Sequence, residues 1–154
     1  DASTLVHPFP KLAHRLAEQF WPGPLTLLLP KRKYVPDMLT SGLEKMAIRV
    51  PDHPITLKLL KKINFPLAAP SANPFGYISP TTSRHVDHQL GEKIPYILEG
   101  GPAHIGLEST IVSIEGKVIY IHRLGGLDIE KLQTTYDSNR RFLYSIVRFI
   151  SYFF

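Results

Sequence analysis

Four short stretches of this chain carry side chains that could do chemistry. The first is Pro66-Leu67-Ala68-Ala69-Pro70-Ser71-Ala72-Asn73, a brief apolar run ending in small polar residues. Ser71 and Asn73 offer a hydroxyl and a carboxamide, which donate and accept hydrogen bonds without carrying charge. If the chain stays extended through them they point the same way, because residues two apart share a strand face. Such a pair suits orienting a polar small molecule better than acid/base work. An Asx-turn or a helix cap accounts for the same residues equally well. The second stretch holds Arg49, a charge in the apolar run Met46-Ala47-Ile48-Arg49-Val50. An arginine there should meet a carboxylate or a phosphate at its fork, with a structural salt bridge as the alternative. The third is Glu108-Ser109-Thr110, which comes after Gly100-Gly101-Pro102 and Gly106 and directly precedes an apolar run. Glycine-bracketed polar residues at a strand end permit close backbone approach to a ligand. The fourth is Arg123, just before Gly125-Gly126, where it could contact a phosphate or a base beside exposed amides.

Other chemistries find less support. The chain has no GxxxxGK[ST], GxGxxG or GxSxG pattern. Ser71 has no visible His/Asp partner set, so a hydrolase triad is poorly supported. His85 and His88 lie three apart on an expected helix, but no third metal ligand accompanies them, and a solvated face explains them better. The residues together describe a cleft of hydroxyls, one amide and two arginines, suited to a small carboxylate and a nucleotide.

The elements that must position these groups can be read from periodicity and breakers. Lys11 to Phe20 has Leu12, Leu16 and Phe20 at helical spacing and reads as an amphipathic helix, ended by Trp21-Pro22-Gly23-Pro24. Leu25 to Leu29 reads as a buried strand, and Lys31 to Leu43 as a loop with one helical turn near Pro36 to Leu39. Met46 to Val50 is the next strand, and Ile55 to Ile63 a second amphipathic helix opened by Pro54. Leu67 to Ala69 reads as a third strand whose end opens into the Ser71 loop. Ser79-Pro80-Thr81-Thr82 starts a helix that runs to about Leu90, and Tyr96 to Leu98 reads as a strand. Thr110 to Ile114 and Val118 to Ile121 flank Glu115-Gly116-Lys117, a β-hairpin signal, and a short helix comes next, from Asp128 to about Leu132. Strands alternating with helices and then a hairpin indicate a mixed α/β sheet. In an open sheet of that kind, ligands bind outside the carboxyl ends of the strands.

Composition sets outer bounds. At 154 residues, 44% hydrophobic and 20% charged, the chain is an ordinary globular one with enough length for a core. It has no cysteine, which excludes disulfides and thiolate metal sites and fits a reducing compartment. Asp1-Ala2-Ser3-Thr4 has neither the basic start nor the apolar segment of a secretory leader, and no apolar run is long enough to span a bilayer. A cytoplasmic location is the expectation. The net charge of +5 favours polyanionic partners, nucleic acid or nucleotide, although each basic cluster, Lys31-Arg32-Lys33 included, reads more readily as a solvated face. After Gln133 the chain turns aromatic and basic, and Asn139 to Phe154 could form an added amphipathic helix or an edge strand.

Taken together, the stretches Phe20-Trp21-Pro22-Gly23-Pro24-Leu25-Thr26, Ile48-Arg49-Val50-Pro51-Asp52-His53-Pro54, Ala69-Pro70-Ser71-Ala72-Asn73, Ser79-Pro80-Thr81 and Gly106-Leu107-Glu108-Ser109-Thr110-Ile111-Val112 resemble the YrdC-like family of threonylcarbamoyl-AMP synthases. They stand in that family's order, at compatible spacings, over roughly Lys11 to Leu132. The resemblance implies a YrdC-like twisted mixed sheet flanked by helices in a single α/β domain over residues 1–133, with 134–154 an atypical tail. It implies a reaction in which L-threonine, bicarbonate and ATP, with Mg²⁺, give L-threonylcarbamoyladenylate and pyrophosphate. The product would pass to the downstream machinery of tRNA threonylcarbamoyladenosine modification. It assigns Arg49, Ser71 and Ser109 to threonine, and Asn73, Thr81 and Arg123 to the nucleotide. Double-stranded RNA or tRNA binding, by a non-catalytic module on the same fold, is the alternative the resemblance carries. The family's opening Pro-Thr-Glu-Thr-like strand and Lys-x-Arg motif have no counterpart here, and Arg123-Leu124-Gly125 stands where the family has Arg-Pro-Gly. A fragment or shortened member is therefore expected.

Overall fold

The computed structural model describes residues 2–104 and 106–134, and the backbone of 142–144. The described chain divides into two units. One takes the chain up to Asp52 and again from Leu107; the other runs from His53 to Gly106.

The first unit is built on one strand. Helix α1, Lys11–Phe20, buries Leu12, Ala13 and Leu16, the stripe expected from its spacing. The chain then turns into β1, Leu25–Pro30, whose first five residues are all buried. A strand covered on both faces reads as a continuous apolar run, which is how Leu25-Thr26-Leu27-Leu28-Leu29 reads. Strand β2, Lys45–Ile48, pairs antiparallel with β1, setting Leu27 against Ile48. Strand β3, Thr110–Glu115, pairs parallel with the other edge of β1, setting Leu25 against Thr110 and Thr26 against Ile111. Strand β4, Val118–Arg123, returns antiparallel to β3 through a turn in which Gly116 takes φ +60°, a left-handed conformation that suits glycine. The short helix α4, Ile129–Thr134, buries Leu132. Strand β5, Phe142–Tyr144, adds a parallel edge to β4, so the sheet runs β2-β1-β3-β4-β5. The expected mixed sheet is present. Of the tail expected over 134–154, only Thr134 and this edge strand fall within the described residues.

The two faces of the sheet differ. Leu25, Leu27 and Leu29 join Val112, Ile119 and Ile121 in the core together with Leu16 of α1. Full burial of each such side chain contributes about 1.5–3 kcal/mol. Thr26, Leu28 and Ser113 alternate with these residues along β1 and β3 and lie on the opposite face. Thr110 locks the hairpin to the Gly125–Leu127 segment beyond β4. Its buried Oγ1 donates to the Leu127 carbonyl at 3.0 Å and accepts from the amides of Gly125 at 2.9 Å and Leu127 at 3.2 Å. Thr110→Val keeps the shape and removes the oxygen, stranding those groups. We expect a loss of about 2 kcal/mol. In a thermal melt this corresponds to a fall of roughly 4–8 °C.

The second unit contains helix α2, Pro54–Lys62, with proline in its first turn, and helix α3, Ser83–Leu90. The two strands expected there do not form. Leu67 to Ala69 and Tyr96 to Leu98 are irregular and unpaired, and Leu67, Tyr96 and Leu98 are exposed. No described residue from His53 to Gly106 is buried to the level of the first unit's core. Local apolar runs of three residues mark strands only when a neighbouring strand is present to pair with them. No helix among the described residues is long and apolar enough to cross a membrane.

Candidate functional site

The six residues singled out by sequence fall three to each unit. Arg49, Ser109 and Arg123 belong to the first, and Ser71, Asn73 and Thr81 to the second.

In the first unit the parallel β1–β3 pairing and the β3–β4 hairpin bring three separate segments together. Ser109 immediately precedes β3, and its buried Oγ lies 2.7 Å from the Oγ1 of Thr26 on β1. Arg123, the last residue of β4, reaches back across the hairpin. Its Nε donates to the Ser109 carbonyl at 3.0 Å and its Nη2 to the Ser109 Oγ at 3.1 Å. Its Nη1 pairs with Glu108 Oε2 at 2.5 Å. Both partners of that ion pair are more than a third exposed, so it contributes at most about 1 kcal/mol. The Ser109 hydroxyl accepts from Arg123, which directs its own proton towards Thr26 or towards a ligand. Thr26 belongs to a motif the sequence displays, but its contact with Ser109 spans 83 positions and no local pattern signals it.

Arg49 is placed one residue beyond the end of β2, not inside the strand as its apolar neighbours suggested. It is exposed, and its Nε donates to the Gly23 carbonyl at 2.9 Å. The amide of Gly23 in turn bonds the Val50 carbonyl at 2.9 Å, which fixes the Trp21-Pro22-Gly23-Pro24 turn against the β2 end. No ion pair among the described residues uses the terminal nitrogens of Arg49. Partial burial lowers its pKa, the Asp52 carboxylate opposes that shift, and the positive charge of Arg123 adds to it. The two arginines therefore feel each other's charge, and a bound anion would relieve that repulsion.

The amides of Gly125 and Gly126 are not exposed donors, as the sequence suggested. Gly125 N–H bonds Thr110 Oγ1, and Gly126 N–H bonds the Glu108 carbonyl at 2.9 Å. They hold the segment after Arg123 against the segment that carries Ser109. Further ion pairs lie elsewhere in this unit. Lys31 pairs with Asp37, and Lys45 with Glu115 at 2.8 Å.

In the second unit the Ser71 loop does not stay extended. Asn73 Nδ2 donates to the carbonyls of Pro74 at 3.1 Å and Tyr77 at 3.0 Å, so its amide closes its own turn. That is the turn-forming role available to asparagine. Its Oδ1 is buried and has no hydrogen-bond partner among the described residues. Ser71 is exposed. Thr82, not Thr81, caps α3 by accepting from His85 N–H at 3.3 Å, while Thr81 Oγ1 lies 3.3 Å from His85 Nδ1. The Thr81 carbonyl accepts from the Ala103 amide at 2.8 Å, tying the glycine-rich loop to the start of the helix. No hydrogen bond among the described residues joins Ser71, Asn73 and Thr81 to one another.

The family model named Sua5_yciO_yrdC and described as "Telomere recombination" matches residues 1–125. The threonylcarbamoyl-AMP synthase of Pyrococcus abyssi is 44% identical over 129 residues, which is 84% of this chain and 38% of that protein. The threonylcarbamoyl-AMP synthase of Bacillus subtilis is 45% identical over 130 residues, again 84% of this chain and 38% of that protein. The crystal structure of P. abyssi Sua5 complexed with L-threonine superposes with a TM-score of 0.83 at 42% identity, over 90% of this chain and 41% of that one. The crystal structure of E. coli YciO, at 24% identity and a TM-score of 0.73, shares the fold. The chain thus spans about two fifths of the length of the synthases it matches.

Proposed function

Since the chain belongs to the Sua5/YciO/YrdC family, we propose that it acts in making L-threonylcarbamoyladenylate and pyrophosphate from L-threonine, bicarbonate and ATP. The carrying observation is the cluster of Thr26, Ser109 and Arg123 with Arg49 in electrostatic reach, in a chain 44% and 45% identical to two synthases over 129 and 130 residues. In this reading the threonine amine joins bicarbonate to give a carbamate, with loss of water. A carbamate oxygen then attacks the α-phosphorus of ATP, and pyrophosphate leaves. The residues present supply positioning, not proton transfer, because hydroxyls, an amide and arginines are poor acids and bases near neutral pH.

Arg49 takes the threonine carboxylate on its free fork, the geometry guanidinium groups favour. The Ser109 hydroxyl, oriented by Arg123 and Thr26, contacts the rest of the amino acid, and Arg123 contacts the nucleotide. The assignments of Ser71 to threonine and Thr81 to the nucleotide rest on the resemblance alone. Asn73 offers its Oδ1 as an acceptor to the nucleotide while its nitrogen holds the loop. Among the described residues no three carboxylate or imidazole groups stand close enough to hold a metal ion. The Mg²⁺ implied by the resemblance would therefore travel on the triphosphate, as that ion commonly does. Double-stranded RNA binding, the alternative that the resemblance carries, has the net charge in its favour, but Lys31 and Lys45 are already paired with Asp37 and Glu115.

The test is binding and turnover measured separately. L-threonine should bind the purified chain in a calorimetric titration. Pyrophosphate release should require threonine, bicarbonate and ATP together. Absence of threonine binding by this chain, with absence of pyrophosphate release, would remove the reading.

A further inference from the structure

Strand β4 is irregular next to Arg123. The β3–β4 register shifts between Ile111 and Val112: Ile111 pairs with Arg123, but Val112 pairs with Ile121. His122 is therefore an extra residue in the β3–β4 register, a β-bulge. A regular strand would send His122 and Arg123 to opposite faces. Here both lie on one face. His122 Nε2 is 2.7 Å from the Oγ of Ser113, and Arg123 Nη2 is 3.1 Å from the Oγ of Ser109. Ser113 pairs with Leu28 and Ser109 bonds Thr26, and these β1 residues share the face opposite Leu25, Leu27 and Ile121. The bulge is thus what turns Arg123 onto the site face while Ile121 stays in the core. A bulge disrupts the ladder locally, and side-chain contacts across the two strands can fix its geometry. The side-chain bond to Ser113, fully buried on the neighbouring strand, is placed to do so.

We propose that the Ser113–His122 hydrogen bond fixes this bulge and thereby aims Arg123 at Ser109, which makes His122 a positioning residue for the anion-binding arginine. The consequence for ligand binding rests on the proposed nucleotide contact of Arg123; the positioning itself does not. The charged groups that face His122 are Lys45 of β2 and Glu115 of β3, which act on it electrostatically, and Arg123 is its neighbour on β4. Burial holds its imidazole below the usual range, so it is neutral at physiological pH and keeps one nitrogen to donate and one to accept.

The experiment uses the full chain, ¹⁵N-labelled, and reads hydrogen exchange at the Arg123 Nε–H by NMR, with Arg123→Lys to assign the resonance. Ser113→Ala and His122→Ala should each speed that exchange about tenfold, the factor for one net hydrogen bond, while core amides such as Val112 keep their rates. His122→Gln, whose amide can replace the ring nitrogen, should recover most of the protection. A general loss of stability would instead raise all rates together. Unchanged Arg123 Nε–H exchange in Ser113→Ala would overturn the proposal, and that single-oxygen change decides the matter if His122→Ala does not fold. ATP titrations on the same samples form a second arm. A parallel tenfold loss of affinity supports both positioning and nucleotide contact. Faster exchange with no ATP binding even by the unmodified chain supports the positioning and sinks only the nucleotide reading.

Discussion

Replacing Arg49 with alanine is expected to weaken L-threonine binding by about 2–4 kcal/mol, the range for truncating one partner of a desolvated charge pair. That is roughly a 30- to 1,000-fold rise in Kd. The structure supplies the reasons for a loss of this size. Among the described residues the guanidinium is anchored by its Nε to the Gly23 carbonyl, so its two terminal nitrogens keep the parallel geometry that a carboxylate accepts. Burial disfavours its charge, the Asp52 carboxylate opposes that effect and Arg123 adds to it, so the cation is partly desolvated before any anion arrives. The fold should lose much less. Arg49 is exposed, and the Gly23 carbonyl that loses its donor can turn to water, so the stability cost is about 1 kcal/mol or below. Arg49→Lys separates charge from geometry. It keeps a cation but not the fork, and affinity should fall between the two. Calorimetric titration with threonine, beside thermal melts of each variant, reads both quantities. If Arg49→Ala leaves threonine affinity intact while the melting temperature drops, Arg49 is a structural residue that braces the Gly23 turn.

Which parts of this arrangement were legible in the residues depends on how local their causes are. Helix α1 is written in its own stripe of Leu12, Leu16 and Phe20 and in the breakers after it, and it forms over Lys11–Phe20 as expected. The hairpin of β3 and β4 is announced by Gly116 between two β-branched runs. Leu67 to Ala69 and Tyr96 to Leu98 carry the same kind of apolar signal, yet neither becomes a strand. The difference is a partner. A strand exists only when another strand takes its hydrogen bonds, and a three-residue run holds no information about where that partner is. The core tells the same story, since β1 is enclosed by β2 and β3 while no described residue from His53 to Gly106 is buried to that degree.

The candidate site divides along the same line. Residue types alone singled out Arg49, Ser109 and Arg123, because charges and hydroxyls at the ends of apolar strands need explaining. Their connections could not be read that way. Thr26 meets Ser109 only because β1 and β3 pair in parallel with Leu25 opposite Thr110. Arg123 meets Ser109 across a hairpin whose register shifts by one residue, and nothing in Ile121-His122-Arg123 declares that shift. The amides of Gly125 and Gly126 depart from expectation for a related reason. Paired glycines suggest open backbone, and here their N–H groups are taken up by Thr110 and Glu108, residues that the fold brings beside them.

That last contact makes Gly125 the position least able to accept a side chain. A Cβ built on it would sit 2.0 Å from the Glu108 carbonyl oxygen, 2.5 Å from the Ser109 carbonyl carbon and 2.7 Å from its oxygen. All three are backbone atoms, so no rotamer change relieves the clash. Either the Glu108–Ser109 segment or the Arg123–Gly126 segment must move. Both are tied down: Gly126 N–H to the Glu108 carbonyl, Gly125 N–H to Thr110 Oγ1, and Arg123 Nε to the Ser109 carbonyl. Gly125→Ala should therefore cost about 3 kcal/mol, the upper end for overpacking a well-filled site. The melting temperature should fall by roughly 6–12 °C. The movement would also pull Ser109 away from Arg123, so threonine affinity should drop in the fraction that stays folded. The two effects have one cause and should appear together. A variant that melts like the unmodified chain would mean that the segments on either side of Gly125 do not pack as closely as these distances require. A variant that melts early yet binds threonine with full affinity would mean that the Ser109–Arg123 contact is dispensable to the ligand, leaving Arg49 as the principal anchor.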